Sequence, residues 1–255
     1  MRGLSDKTII VAGGGNGIGA ATARRLAEEG ARVVVVDLNG DAAARVASAI
    51  TGAGGQAHAV QADISKDADV RRLFDDAIAA FGGFDGLHFN AAALHLSNID
   101  TDPLTIDMDV FDEAIRVNIR GAVLCTREAL AHFTGQGKGG SIVYTGSDAS
   151  YSGEPVRVTY AISKAGLGAL VRNVVGKYGR QGIRANVVSP GPVITENLQA
   201  TLTADQLAKL VRGVRHTRPG KPDDIAAQVA FLMSDDGEWI SGQTISVNGG
   251  IMMRA

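Results

Sequence analysis

Short runs rich in Val and Ile alternate with longer segments of helical period along this chain, and no other feature limits the possible folds so tightly. The runs Thr8–Ala12, Arg32–Asp37, His58–Ala62, Gly86–Asn90, Ser141–Thr145, Ile183–Val188 and Gln243–Val247 carry little polar alternation, as parallel strands do when both faces are covered. Between them Gly17–Glu29, Asp41–Ile50, Asp67–Phe81, Asp109–Phe133 and Val158–Tyr178 space their apolar residues as helices do. Parallel neighbours need a crossover connection. The alternation therefore predicts an α/β fold, a single doubly wound parallel sheet with helices on both faces. No linker composition or internal repeat divides the chain, so residues 1–255 are expected to form one domain. The stretch 191–218 breaks the alternation and has its own helical piece around Ala204–Val211. Lying beyond a strand end, it reads as a substrate lid or as a plain surface insertion.

Composition narrows the function classes. Apolar residues make up 45% of the chain, enough for a sizeable core, which argues against disorder. The 33 glycines show no collagen-like period and are expected to serve tight turns and close backbone approaches. Lys and Arg number 25 against 27 Asp and Glu, a net charge of −2 with both signs interspersed, so no basic footprint for nucleic acid exists. The single Cys125 excludes an internal disulfide framework and reads as a small buried side chain. No run is long enough to span a bilayer or to form a signal-peptide core. A cytoplasmic protein is the expectation.

Directly after the first run stands Ala12-Gly13-Gly14-Gly15-Asn16-Gly17-Ile18-Gly19, and a helix opens there. Glycines allow the tight turn and the close approach of a pyrophosphate, while free N–H groups at a helix start attract anions. The second run ends at Asp37, about 18 residues past Gly19, where a carboxylate can accept hydrogen bonds from an adenosine ribose. Such a carboxylate repels a 2′-phosphate, and neither Asn16 nor Leu38 offers a cation for one. NAD is thus expected rather than NADP. Asp63, ending the third run beside Ile64, could meet the adenine or cap the helix that follows.

Tyr160 and Lys164 lie four residues apart on one helix face. A phenol is a poor base at neutral pH, and a neighbouring ammonium favours its phenolate. Ser147 lies just beyond the fifth run, where its hydroxyl could orient a substrate oxygen or simply form a turn. Asn118 falls on the apolar stripe Ile115, Asn118, Ala122, Cys125. A buried amide there needs a partner, and is expected to hold a water or open the helix locally.

Together these motifs resemble the short-chain dehydrogenase/reductase family over nearly the whole chain, with a Rossmann-like fold. The Gly13, Gly17, Ile18, Gly19 loop is similar to that family's coenzyme loop, and Asn90-Ala91-Ala92 to its Asn-Ala-Gly element. Asn118, Ser147, Tyr160 and Lys164 match its tetrad in order and spacing. Pro190-Gly191 with Val193 and Thr195 is similar to its nicotinamide-side segment, and the tail from Arg218 to Gly250 to the end of its oligomeric members. Two positions depart: Ala12 stands where the family usually has Thr, and Ala92 where it has Gly.

The resemblance implies hydride transfer between a secondary alcohol and NAD without a metal. Tyr160 is then the general acid/base, Lys164 binds the nicotinamide ribose and depresses the Tyr160 pKa, Ser147 holds the substrate oxygen and Asn118 supports a relay water. It also implies a homo-oligomer, a tetramer before a dimer, built through the helices carrying Asn118 and Tyr160 and through the last strand. The substrate, an alcohol, cyclic diol or ketone, is expected to meet His95, Ser147, Tyr151, Glu154 and Tyr160. Two other readings stand beside this one: a catalytically silent NAD-binding regulatory or scaffold protein, and a carbonyl reductase working in the opposite direction. The histidines and paired aspartates show no metal-ligand spacing.

Overall fold

The computed structural model describes Met1–Thr201 and Thr203–Met253; Leu202, inside the expected lid, lies outside the described residues. Four consecutive valines in β2 (Arg32–Asp37) send side chains alternately to opposite faces, and both faces are covered. Val33 and Val35 join Leu26, Val46 and Ile50 on one side, with Ile225, Val229 and Met233. Val34 and Val36 join Leu73, Phe74, Cys125, Phe133, Leu167 and Val171 on the other. Fully burying each Val or Leu contributes about 1.5–3 kcal/mol, so apolar runs of this kind must lie inside.

The strands are β1 (Thr8–Ala12), β2, β3 (Gln56–Gln61), β4 (Gly86–Phe89), β5 (Gly140–Thr145), β6 (Ile183–Pro190) and β7 (Thr244–Val247). They form one sheet in the order β3-β2-β1-β4-β5-β6-β7, and every pairing is parallel. Helices α1 (Gly17–Glu28), α2 (Gly40–Gly52) and α9 (Pro222–Met233) cover the first face. The other is covered by α3 (Asp67–Phe81), α5 (Gly121–Gln136) and α6 (Val158–Tyr178). The strand order reverses between β1 and β4, which opens a crevice at the carboxyl ends of these strands. Among the described residues no helix is long and apolar enough to cross a membrane.

Three differences from the sequence reading have physical causes. β3 runs from Gln56 and alternates in exposure because it is an edge strand with one face open. The expected continuous helix Asp109–Phe133 is instead α4 (Met108–Ile115), a π-helical turn at Arg116–Arg120, and α5. Asn118 sits in that wide turn, so the helix is opened where the buried amide stands. Residues 191–218 hold two short helices, α7 (Glu196–Thr201) and α8 (Ala204–Val211); Thr203 and Gln206 close α8 with a capping box.

Candidate functional site

The turn after β1 is held by the chain itself. Gly13 and Gly14 both donate N–H bonds to the Val36 carbonyl at 2.8 Å, and Gly15 donates to Asp37 Oδ2 at 2.8 Å. Gly13 and Gly17 take left-handed backbone angles, φ +80° and +52°, which favour glycine. A Cβ at Gly13 would meet the Ala91 nitrogen at 2.7 Å, and one at Gly19 would run into the Gly13 carbonyl. These glycines let the loop press against β4. Asn16, the N-cap of α1, makes no side-chain cap bond, and the first turn has no acid. α2, by contrast, is capped by Asn39. The start of α1 therefore keeps free N–H groups and an uncompensated positive dipole end, as an anionic group would require.

Asp37 does more locally than end a strand. Its Oδ2 holds the loop through Gly15 and its Oδ1 accepts from Asn39 N at 3.0 Å. Leu38 beside it is exposed. Asp63 accepts from the Ser65 N–H and hydroxyl at 3.0 and 2.6 Å and pairs with Lys66. Burial pushes its carboxyl up, but the Ser65 and Lys66 contacts together hold it below the usual range. The cap of α3 is Lys66, so Asp63 shapes the preceding turn. Ile64 turns its side chain into the core against Gly121. A groove of about 450 Å³ lined by Leu38, Asp63, Lys66 and Arg72 runs along the outer edge of β3, and contains none of Ser147, Tyr160 or Lys164.

The second cluster lies at the carboxyl ends of β4, β5 and β6. Lys164, 3% exposed, donates Nζ to the Thr145 carbonyl at 2.7 Å and stands 5.7 Å from the centre of the Tyr160 ring. Burial lowers its ammonium from 10.5 to about 8. Ser147 lies beside Tyr160, whose pKa it lowers, and accepts from Ala149 N at 3.2 Å. Asn118, fully paired rather than solvated, accepts from Ala93 N at 2.8 Å and donates to Ser163 Oγ at 2.9 Å. It thus ties the π-turn to the loop after β4 and to α6.

The Tyr160 phenol departs from the expected direction. Burial pushes its pKa above 10, Ser147 and then Arg157 pull it down, and Glu154 pushes it up. The net shift is upward, so burial outweighs the lowering that the Tyr–Lys pairing led one to expect. Arg157 lies 5.4 Å over the Tyr160 ring and forms an ion pair with Glu154. Glu154 is therefore already neutralised, while His95 and Tyr151 are exposed at the rim.

The segment after β6 reaches the same crevice. Val193 bridges to Gly220, Gly191 abuts Asn248, and a Cβ at Gly17 would lie 3.2 Å from Thr195. The segment after β6 therefore touches the turn after β1, which sequence could not foretell. One contributor escaped the sequence reading altogether. Asp100, buried, accepts from Thr159 N and Tyr160 N at 3.0 and 2.8 Å, capping α6 from some sixty residues away. Arg157 sits at φ +60° at the same helix start, a strained angle for a side chain of this kind.

A reversed-order parallel sheet with a glycine turn after β1, and a Ser, Tyr and Lys grouped past β5, defines a doubly wound α/β protein of the oxidoreductase kind. A family model described as enoyl-(acyl carrier protein) reductase matches residues 12–252. A Bradyrhizobium diazoefficiens protein named "Probable short-chain type dehydrogenase/reductase" is 40% identical over 252 residues, covering 99% of this chain and 89% of its own. The 2,5-dichloro-2,5-cyclohexadiene-1,4-diol dehydrogenase of Sphingobium indicum is 35% identical, covering 98% of both chains. A solved 7α-hydroxysteroid dehydrogenase, complexed with NADH and 7-oxo glycochenodeoxycholic acid, superposes with a TM-score of 0.90 at 34% identity, covering 98% of this chain and 95% of that one. The chain belongs to the short-chain dehydrogenase/reductase family.

Proposed function

We propose that this protein oxidises a secondary alcohol or cyclic diol with NAD, using Tyr160 as the general acid/base. The observation that carries the reading is the grouping of Ser147, Tyr160 and Lys164 at the crevice that also receives the glycine turn and Thr195. The uncapped start of α1 suits a pyrophosphate, and Asp37 suits a ribose and disfavours a 2′-phosphate. Gly13, Asn16, Gly17, Ile18 and Gly19 would hold the diphosphate, Asp37, Leu38, Asp63 and Ile64 the adenosine end, and Asn90, Ala91 and Ala92 the middle. Tyr160 and Lys164 would hold the nicotinamide ribose, with Pro190, Gly191, Val193 and Thr195 on the ring side. NAD, when bound, supplies the acceptor for the hydride leaving the substrate carbon.

The chain's own residues do the rest. Ser147 donates to the substrate oxygen and holds it beside Tyr160 Oη. Tyr160 takes the hydroxyl proton as carbon is oxidised; Arg157 over its ring favours the phenolate against the burial that opposes it, and Lys164 stands by the same ring. Asn118 fixes the start of this apparatus through Ala93 and Ser163. His95 and Tyr151 stand at the rim where a second polar group of the substrate would lie, and residues 191–218 serve as the lid. The relatives' names support the substrate class and the coenzyme, since one is named a cyclohexadiene-diol dehydrogenase and a solved neighbour is complexed with NADH. Half-exposed Val123 on α5 and Ile162 on α6 suit assembly through these helices into a tetramer.

The test is absorbance at the reduced-nicotinamide band with NAD and a panel of secondary alcohols and cyclic diols, beside a coenzyme titration. Turnover with one of them supports the reading. Binding of NAD without turnover across the panel would instead favour the silent regulatory or scaffold protein, and activity only with NADPH and ketones the reductase.

A further inference from the structure

His88 lies on β4, fully buried, in register between Val11 and Val143. An apolar side chain would fill that place without cost, since burying an imidazole requires partners for its nitrogens. Its Nδ1 has none, while its Nε2 lies 2.9 Å from Thr145 Oγ1. A polar group kept in the core on these terms must be holding something.

What it holds follows from the direction of each hydrogen bond, worked back from an atom that can only accept. The Gly13 carbonyl accepts from Asn90 Nδ2 at 3.0 Å. Asn90 therefore turns its Oδ1 toward Thr145, which donates its one hydroxyl proton at 2.9 Å. Having spent that proton, Thr145 Oγ1 can only accept from His88, so His88 must carry its hydrogen on Nε2. Its Nδ1 is then a bare lone pair, which fits the missing partner, and burial with the nearby Lys164 pushes the imidazole down to about 3, keeping it neutral. The chain of bonds runs one way, from His88 through Thr145 and Asn90 to the glycine turn. Thr145 also gives its carbonyl to Lys164, so the residue in the middle touches both halves of the site.

We propose that His88 is a positioning residue for the coenzyme: its Nε2–H fixes the Thr145 hydroxyl and the Asn90 amide so that the Gly13–Gly19 turn is presented in its binding shape. This rests on the reading that the turn binds a nicotinamide dinucleotide. Without the His88 donor the Thr145 hydroxyl is free to rotate and the amide to invert. An inverted Asn90 sets its oxygen against the Gly13 carbonyl, and the turn moves off.

The test is NAD affinity by fluorescence titration of the full-length protein, with kcat measured separately at saturating coenzyme. His88→Leu, close to His in volume and without a donor, is expected to weaken NAD about fivefold, equivalent to about 1 kcal/mol, with kcat changed less than the affinity. His88→Gln, which can donate from its amide, is expected to restore affinity to within about twofold, far less than a lost hydrogen bond removes. Equal affinity in His88→Leu and wild type, an equal loss in His88→Gln, or a fall in kcat alone overturns the proposal. Should His88→Leu fail to fold, Thr145→Val reads the same link, and unchanged NAD affinity there overturns it as well. A wild-type protein that binds no NAD removes the functional reading first, and this one with it; wild-type binding with an unaffected His88→Leu removes this one alone.

Discussion

Replacing Lys164 with Met is expected to stabilise the fold while removing turnover, and the size of the gain follows from burial. Lys164 is 3% exposed and its ammonium is driven from 10.5 to about 8. At ~1.4 kcal/mol per pH unit, holding that charge inside costs about 3 kcal/mol at any pH below 8. Methionine is similar in length, carries no charge and fills irregular apolar space. The substitution loses the Nζ bond to the Thr145 carbonyl, worth about 1–2 kcal/mol, leaving a net gain of about 1–2 kcal/mol near neutral pH. The sign against pH is definite. Because the native Lys164 pKa is depressed, the unfolded chain binds more protons than the native one between 8 and 10.5, and wild-type stability rises with pH across that window relative to the variant. Urea unfolding without coenzyme at about pH 7 and about pH 10 measures both. The variant should lead at the lower pH and lose its lead at the higher. A wild type that is already more stable at pH 7, or a gap that does not move with pH, would refute the reasoning.

Other outcomes follow from single contacts. Gly19→Ala drives a methyl into the Gly13 carbonyl, so coenzyme affinity should fall about tenfold or more, equivalent to at least ~1.4 kcal/mol; an unchanged titration would contradict the account of the turn. Asp100→Ala leaves two N–H groups at the start of α6 without their acceptor, which should cost about 2–4 kcal/mol in urea unfolding and lower kcat through Tyr160, with Asp100→Asn recovering part of both. Asp37→Ala should shift the ratio of NAD to NADP efficiency toward NADP, and an equal ratio in the variant and the wild type would count against the coenzyme assignment.

The sheet was legible because its information is local. Val33 to Val36 must be buried on both faces wherever they occur, and the glycine turn identifies itself by standing between a strand and a helix. Tyr160 and Lys164 announce a shared face by their spacing. The opened helix at Asn118 was legible too, since an amide on an apolar stripe needs partners, although sequence could not name Ala93 and Ser163. α9 had a signal that periodicity alone passed over, with Pro222 at its first turn followed by Asp223 and Asp224. Asp100 and His88 carried none. Each works through a partner more than fifty residues away, and only the folded sheet brings such pairs together. The Tyr160 shift was misjudged for a related reason: the Tyr–Lys spacing shows the cation but not the burial that opposes it.

The central claim, proton transfer by Tyr160 during NAD-linked oxidation, is tested most directly by comparing Tyr160→Phe with wild type in one coenzyme titration and one turnover assay. Removing the hydroxyl leaves the ring and its packing in place, so NAD affinity should fall by no more than about tenfold, the loss of one bond to the nicotinamide ribose. Turnover of the same alcohol should fall by about a hundredfold or more, as loss of a general acid/base does. Retained NAD binding with nearly unchanged turnover would contradict the account.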